Sequence, residues 1–306
     1  MKKEYVLKTD KLTKVYGKNK VVNEVSMHVK KGDIYGFIGK NGAGKTTFMR
    51  MVSGLASPTE GSMELFGEKD LEVQRKRIGS LIESPGIYPN MTASDNLEVV
   101  RRILGITDRH IVEKILEFVG LESAGKKKVK NFSMGMKQRL GLAISLMRNP
   151  DFLVLDEPIN GLDPSGIKEV RDLLLKLNEE RQITILISSH ILGELSKVAT
   201  KYGIIRDGVL IEELDTMQLA EKCRRCQKIT VDDVEKAVYI LEEILFIRSY
   251  DVPDPHIIRI FENLEKAEKI NQAIIMGGVA MKESCLVGQD LEGYFMERLG
   301  DNAHQD

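Results

Sequence analysis

The fold is decided by residues 39–47, which read Gly39-Lys40-Asn41-Gly42-Ala43-Gly44-Lys45-Thr46-Thr47. This segment satisfies the pattern GxxxxGK[ST], in which glycines allow successive backbone N–H groups to curl around phosphate oxygens. The apolar run IYGFIG precedes it at 34–39, and residues 48–55 continue it with helical periodicity. The segment therefore predicts a phosphate-binding loop between a buried strand and a helix.

The residue types in this loop divide the task of holding a nucleotide. The helix N-terminus adds a partial positive charge, Lys45 neutralises the β- and γ-phosphates, and Thr46 offers a hydroxyl to Mg²⁺. The alternative is a glycine-rich turn with an incidental lysine, which is rarer once the flanking strand and helix are required. The predicted nucleotide-binding residues of the loop are Gly39, Asn41, Gly42, Ala43, Gly44, Lys45, Thr46 and Thr47.

A second apolar strand, FLVL at 152–155, delivers two carboxylates, Asp156 and Glu157. Open α/β sheets bind their ligands at the carboxyl ends of the strands. Because consecutive strand residues point to opposite faces, we expect the two acids to have different tasks. We predict that Asp156 holds Mg²⁺ through the coordination shell of the ion and that Glu157 faces the water that attacks the γ-phosphate. Two solvated acids at the end of a strand are the alternative.

Short apolar runs alternate with helical patterns along the first two hundred residues, which predicts an α/β domain. The runs at 78–82 and 183–187 are short and branched, as buried strands are, whereas Val25, Met27 and Val29 alternate with polar residues as an antiparallel strand does. We expect a P-loop NTPase-type parallel sheet with an antiparallel N-terminal subdomain and a helical subdomain. Helical patterns occupy 94–104, 108–119, 137–148 and 166–179.

Composition excludes several classes of protein. The 306 residues carry 45 Lys and Arg against 46 Asp and Glu, so the chain has no global basic field for nucleic acid. No apolar run approaches the roughly 18–20 residues of a membrane-spanning helix, and the N-terminal MKKEYVLKTDKL lacks the apolar stretch of a secretory signal. We expect a folded protein with no nucleic-acid partner that acts at a membrane only through another chain.

Residues 131–139 read Asn131-Phe132-Ser133-Met134-Gly135-Met136-Lys137-Gln138-Arg139 and lead into a helix. Read alone, Ser133 is an ordinary helix N-cap. Together with the phosphate loop and the carboxylate-bearing strand, the segment resembles the signature motif, usually written LSGGQ, of the ATP-binding subunits of ABC transporters. The resemblance covers about residues 4–215 and keeps the family's motif order. It implies that Ser133 and Gly135 contact the γ-phosphate held by the opposite subunit.

The same resemblance assigns roles to three further residues. Tyr16 stands where the family stacks an aromatic ring on adenine, Asp163 lies in a segment similar to the D-loop of the dimer interface, and His190 resembles the switch histidine. The alternatives are an exposed loop tyrosine, a turn and a structural histidine. With Lys45 and Glu157, His190 belongs to the predicted catalytic group.

Two departures from the family's pattern change the expected chemistry. Most members have a glutamine that senses Mg²⁺ and reports to the membrane subunit at the position of Glu83. A carboxylate is a charged ligand for Mg²⁺, so we predict Glu83 as a catalytic residue and as a metal ligand with Thr46 and Asp156. An acid at this position looks like the branch that exports bacitracin and lantibiotics. The signature departs from LSGGQ at Phe132, Met134 and Met136.

Residues 216–306 show a separate pattern of predicted strands and helices. The predicted order is strand 229–231, helix 234–245, strand 247–252, a turn at 253–255, strand 257–261, helix 263–276, strand 279–285 and a tail helix at 290–299. The βαββαβ order matches the split βαβ of ferredoxin-like folds. We therefore expect an ATP-binding domain at 1–215 and a small α+β domain at 216–306, for which dimer support is the leading hypothesis.

The resemblance implies an ATPase that uses ATP and Mg²⁺ and drives export of an antimicrobial peptide, lantibiotic or similar compound through a separate membrane permease. It implies a homodimer or heterodimer of ATP-binding subunits on the cytoplasmic face of the cell membrane. The alternative is a soluble ATP-dependent clamp or regulator acting on ribosomes or DNA, although such proteins usually carry two of these domains or a coiled-coil insertion. A GTPase or small-molecule kinase leaves 133–139 and His190 unexplained.

Overall fold

The computed structural model describes residues 5–288 and 291–300. Within these ranges no helix has both the length and the apolar character that a membrane crossing requires. The predicted first residue of the tail helix, Asp290, lies outside the described residues.

Strands and helices alternate along the first two hundred residues as the sequence predicts. The strands are β1 (Tyr5–Tyr16), β2 (Asn19–Val25), β3 (His28–Lys30), β4 (Ile34–Ile38), β5 (Glu60–Leu65), β6 (Ile78–Leu81), β7 (Phe152–Leu155), β8 (Thr184–Ser189), β9 (Lys201–Arg206), β10 (Val209–Asp215), β11 (Cys226–Val231), β12 (Tyr250–Asp254), β13 (Ile257–Ile260) and β14 (Met281–Val287). The helices are α1 (Lys45–Val52), α2 (Leu71–Arg75), α3 (Ala93–Ile103), α4 (Ile111–Phe118), α5 (Met134–Leu146), α6 (Pro164–Arg181), α7 (Leu192–Leu195), α8 (Thr216–Cys223), α9 (Val234–Tyr239), α10 (Ala267–Met276) and α11 (Leu291–Arg298).

The central sheet has the strand order β10-β9-β4-β8-β7-β6. Its strands run parallel except the edge strand β10, which pairs with β9 in the antiparallel sense. Every residue of β4, β7 and β8 is buried, which explains their continuous apolar runs, because helices cover both faces of a parallel sheet. The expected fold class is confirmed. Because β4, β8 and β7 are neighbours and run parallel, the phosphate loop and the carboxylate pair emerge at the same end of the sheet.

A buried polar contact joins β4 to the β9–β10 hairpin. The Tyr35 hydroxyl donates to Glu213 Oε1 at 2.8 Å, and Lys201 Nζ lies 3.2 Å from the same oxygen. Burial and the neighbouring Glu213 carboxylate raise the pKa of Tyr35 well above 10, so the phenol stays a hydrogen-bond donor at physiological pH.

The predicted antiparallel subdomain is a second sheet built around β1. Its order is β2-β1-β3, and β5 also pairs with β1. All three pairings are antiparallel. Leu7, Leu12, Val22, Val29 and Leu65 are buried in the core that this sheet shares with α1.

The predicted helical subdomain is formed by α3, α4 and α5, which contact one another. Thr92 begins α3 with a capping box, in which its hydroxyl accepts from the Asp95 N–H and the Asp95 carboxylate accepts from the Thr92 N–H. The loop after β6 packs tightly on α5, because a Cβ added to Gly141 would lie only 2.7 Å from Pro85 Cβ.

The chain divides into two compact units. One holds the described residues up to Thr216 with the short stretch that begins at Arg298, and the other runs from Met217 to Glu297. The sheet of the second unit has the order β12-β13-β11-β14 with all neighbours antiparallel. Counted within the unit, the strand order is 2-3-1-4, and α9 and α10 provide the two helices of a βαββαβ arrangement.

Several boundaries predicted for this unit are wrong. The strand predicted at 229–231 already begins at Cys226, the helix predicted from 263 begins at Ala267, and the strand predicted at 279–285 spans Met281–Val287. The helix predicted at 234–245 changes after Tyr239 into a π-helical turn, Ile240–Ile244. The strand predicted at 247–252 begins only at Tyr250, because Glu262 Oε1 accepts the N–H groups of Arg248 and Ser249 instead. Pro253 belongs to β12, not to the turn, which an edge strand tolerates because its outer N–H groups need no partner.

Candidate nucleotide-binding site

The phosphate loop connects β4 to α1 in the conformation that its glycines permit. Gly42 and Gly44 have φ values of +82° and +104°, a region that other residues rarely adopt. A Cβ on Gly44 would lie 2.5 Å from the Val21 carbonyl oxygen, so no larger residue fits there. A pocket of about 160 Å³ lies on the loop, lined by Val21, by residues of the loop and by Glu157.

The Lys45 ammonium is folded into the loop. Its side chain donates to the carbonyl oxygens of Gly39 at 2.5 Å and Lys40 at 3.2 Å, and the residue is only 5% exposed. Lys45 Nζ also lies 3.5 Å from Glu157 Oε1. A buried cation whose partners are mostly neutral carbonyls is suited to anionic phosphate oxygens, with which it forms stronger charge-assisted bonds.

Thr46 and Asp156, both predicted to serve Mg²⁺, lie in contact with each other. The Thr46 hydroxyl donates to Asp156 Oδ2 at 2.7 Å, and the carboxylate is 3% exposed. Its other oxygen, Oδ1, accepts from the Ser188 hydroxyl at 2.7 Å. The Thr46 hydroxyl and the Asp156 carboxylate offer the oxygen ligands that Mg²⁺ prefers. In nucleotide sites Mg²⁺ usually binds one or two carboxylates together with the phosphates of the substrate.

Sequence reasoning missed Ser188, which binds both carboxylate-bearing residues. Its hydroxyl also accepts from the Glu157 N–H at 2.8 Å. The sequence offered a signal, because Asp156 and Ser188 each come directly after a predicted buried strand, at 152–155 and 183–187. In the structure Leu155 pairs with Ile187, so the residue that follows each lies at the same level. A hydroxyl directly beyond a buried strand, next to a carboxylate beyond its neighbour, predicts such a contact.

Glu157 and His190, for which the sequence predicts separate catalytic roles, lie in contact with each other. His190 Nδ1 lies 2.7 Å from Glu157 Oε2. Glu157 Oε1 is buried, and no group among the described residues donates a hydrogen bond to it. The strand alternation predicted for the two acids does not apply, because β7 ends at Leu155 and Glu157 has a left-handed φ of +50°. This turn separates the two carboxylates instead.

Ser133 and Gly135 lie at the N-terminus of α5. The Ser133 hydroxyl accepts from the Met136 N–H at 3.2 Å, so the serine is also the N-cap that the sequence offered as an alternative. Ser133 is exposed and Met134 is 56% exposed. A Cβ added to Gly135 would meet nothing closer than 3.8 Å, so packing within the chain does not require a glycine there.

Tyr16 and Asp163 are also accessible. Tyr16 is 47% exposed at the end of β1, and Lys14 Nζ lies 5.0 Å from the centre of its ring. Asp163 caps α6 by accepting from the Gly166 N–H at 3.3 Å. Their proposed contacts with nucleotide stay predictions.

Glu83 has a different partner from the one predicted. Its Oε1 accepts from Arg50 Nη2 at 2.6 Å, and its side chain is 58% exposed. The acidic, histidine and cysteine side chains of the described residues include no preformed cluster of three for a metal. A metal contact of Glu83 therefore stays a prediction.

Comparisons with known proteins point to one family. A family model described as ABC transporter matches residues 22–160. The bacitracin transport ATP-binding protein BcrA of Bacillus licheniformis is 44% identical over 96% of this chain and 97% of its own length. The lantibiotic transport ATP-binding protein SrtF of Streptococcus pyogenes is 46% identical over 68% of this chain and 90% of its own length.

Solved structures agree with these relatives. The ATP-binding cassette MJ1267 in its ADP conformation matches with a TM-score of 0.65 at 27% identity, over 72% of this chain and 94% of that chain. A dimeric post-hydrolysis state of the cassette MJ0796, bound to ADP and Pi, matches with a TM-score of 0.62 at 25% identity, over 68% and 98%. The resemblance noted in the sequence is confirmed. The chain belongs to the family of ABC transporter ATP-binding subunits, which are ATPases coupled to transport.

Proposed function

We propose that this chain powers the export of bacitracin, a lantibiotic or a similar peptide antibiotic through a separate membrane permease. The observation that carries the proposal is the 44% identity to the bacitracin transport protein, which extends over 96% of the chain and therefore includes the second unit. A clamp on ribosomes or DNA is disfavoured, because the relatives named above are transport proteins.

The chain supplies one half of each ATP site. We infer that the loop N–H groups and Lys45 hold the phosphates, and that Thr46 and Asp156 hold Mg²⁺. The bound Mg²⁺ would neutralise charge that develops on the β- and γ-phosphates. Ser188 keeps the Asp156 carboxylate oriented through a 2.7 Å bond.

Glu157 is the proposed general base. Its Oε1 accepts no hydrogen bond from the described residues, so it has the capacity to take a proton from an attacking water. The contact of Oε2 with His190 holds the carboxylate in place. We infer that His190, which is 40% exposed, also reaches the γ-phosphate of a bound nucleotide.

A second subunit supplies the other half of each site. Ser133 and Gly135 are exposed or partly exposed, and Gly135 has no neighbour that requires a glycine. A residue without a side chain allows a phosphate to approach the helix N-terminus closely. We infer that two copies of the chain pair so that this turn of each faces the phosphate loop of the other, and that Asp163 lies at their interface.

We infer that the permease docks on the first unit. A groove of about 190 Å³ lies between the end of β6 and α5, lined by Leu55, Ile82, Pro85, Gly141 and Ile144 among others. Leu55 is 65% exposed. A permease segment that occupies this groove would hold the chain at the cytoplasmic face of the membrane.

The function is tested by isolating the chain from its native membrane in mild detergent. We expect it to co-purify with a membrane protein that has several spans, and cells that lack the chain to become more sensitive to bacitracin or a lantibiotic. Co-sedimentation with ribosomes or DNA instead of the membrane fraction, with unchanged sensitivity to these peptides, would contradict the proposal.

Tyr16 is expected to contribute to nucleotide affinity through stacking. Aromatic stacking on a base is worth about 1–3 kcal/mol, so Tyr16→Ala should weaken ATP binding about 5- to 150-fold, whereas Tyr16→Phe should bind almost normally. Titration with a fluorescent ATP analogue measures the change. Equal affinity of the Ala and Phe variants would remove Tyr16 from the adenine site.

A further inference from the structure

The proposed function does not use the contact between Arg50 and Glu83. Arg50 lies on α1, the helix that begins at the phosphate loop, and its Nη2 donates to Glu83 Oε1 at 2.6 Å. The two side chains are 38% and 58% exposed, so water still reaches the pair. A glutamine in place of Glu83 would be neutral and could not form this ion pair.

Helix geometry separates Arg50 from the proposed metal site. Arg50 follows Thr46 by four residues, so both share one face of α1 and are about 6 Å apart along its axis. The Glu83 carboxylate therefore contacts a residue one helical turn along α1 from the hydroxyl that would contact Mg²⁺. While its Oε1 accepts from Arg50, the guanidinium competes with the metal for this carboxylate.

The backbone at Glu83 is strained and linked to the helical subdomain. Glu83 has a left-handed φ of +61°, which costs free energy in a residue with a Cβ. Two residues later, Pro85 packs against Gly141 on α5. The segment 83–85 thus joins α1 of the nucleotide-binding core to α5, the helix whose N-terminus carries Ser133.

We propose that Arg50 is a positioning residue that holds Glu83 away from the Mg²⁺ position until a nucleotide–metal complex arrives. This inference rests on the proposed Mg²⁺ role of Glu83. The Glu83 carboxylate binds the Arg50 guanidinium first and the metal afterwards. Its transfer from one cation to the other moves segment 83–85 relative to α5. Arg50 lowers the apparent affinity for the metal complex, because only the population released from Arg50 binds it fully.

The experiment compares ATP binding with Mg²⁺ and with EDTA in four chains: wild type, Arg50→Gln, Glu83→Gln and the double variant. Arg50→Gln is expected to tighten Mg²⁺-dependent binding about two- to fivefold, the range that an exposed ion pair allows, and to leave metal-free binding unchanged. In the Glu83→Gln background the same substitution should have no effect. Arg50→Lys should stay close to wild type.

Hydrogen exchange of the nucleotide-free protein gives a second readout that does not depend on activity. Arg50→Gln is expected to speed exchange at the amides near 83–88, because the Glu83 carboxylate loses the contact that holds this segment. Arg77→Gln is the matched control, because it breaks an exposed ion pair of similar geometry, with Asp151 at 2.7 Å, and should change neither readout.

Three results would overturn the inference. Weaker Mg²⁺-dependent binding in Arg50→Gln, or an equal effect of that substitution in the Glu83→Gln background, would mean that Arg50 acts on the nucleotide and not through Glu83. Unchanged exchange near 83–88 would mean that the pair does not hold the segment. A wild type that binds no ATP under either condition would instead contradict the proposed function itself.

Discussion

Glu157→Gln is expected to bind ATP and to hydrolyse it about 10²- to 10⁴-fold more slowly than the wild type, the range that general-base catalysis supplies. The amide keeps the shape of the side chain, and its carbonyl oxygen can still accept from His190, but it cannot take a proton from water. Because ATP then stays intact, the ATP-bound dimer should accumulate, which size-exclusion chromatography with Mg²⁺ and ATP detects.

A glutamate away from the site provides the control. Glu72 is exposed in the first turn of α2, and Glu72→Gln removes the same charge without touching the phosphate loop. It should hydrolyse ATP at the wild-type rate and show no excess dimer. Hydrolysis at the wild-type rate in Glu157→Gln would remove the role assigned to Glu157.

Lys45→Ala is expected to lose most of its ATP affinity. A hydrogen bond to a charged group contributes about 1.5–3 kcal/mol, so the loss of the ammonium alone predicts binding about 10- to 100-fold weaker. The folded chain should survive, because the substitution removes contacts only with the carbonyls of Gly39 and Lys40 and with Glu157, beside a pocket that admits water. Equilibrium titration with ATP and a thermal unfolding scan separate the two effects.

Lys69→Ala is the matched control for the charge, since Lys69 is exposed in the turn before α2. It should bind ATP as the wild type does. Undiminished ATP binding by Lys45→Ala would contradict the assignment of the loop as a phosphate cradle, whatever the behaviour of Glu157.

The parts of the site that were predicted from the sequence involve residues that are near one another in the chain or that follow neighbouring parallel strands. A glycine-rich turn between a strand and a helix has few ways to fold, so Lys45 and Thr46 had to lie at the sheet edge. Asp156 meets Thr46, through a 2.7 Å hydrogen bond, because parallel strands end at a common edge.

The missed contacts depend on side-chain rotamers or local irregularities. Arg50 meets Glu83 from 33 residues away, and only the left-handed backbone at Glu83 aims its carboxylate at α1. In the second unit, Glu262 captures two N–H groups that would otherwise extend β12. Neither event leaves a periodic pattern in the sequence, because each is a choice of one side chain among several possible partners.

We propose that each terminal phosphate is held by two chains at once. Mixing two defective variants tests this directly. Lys45→Ala disables the phosphate loop. Gly135→Asp places a negative charge at the signature turn, where it repels the negatively charged phosphate, and the site has room for the added side chain. Each variant alone should fail to hydrolyse ATP, because both sites of its dimer carry the defect.

In a mixed dimer, one site combines the intact loop of the Gly135→Asp chain with the intact turn of the Lys45→Ala chain. ATP hydrolysis is therefore expected to return when the two variants are mixed and to be absent from either alone. If each phosphate were held by the loop and the turn of the same chain, every site in the mixture would stay defective, and the absence of recovered hydrolysis would contradict the shared site.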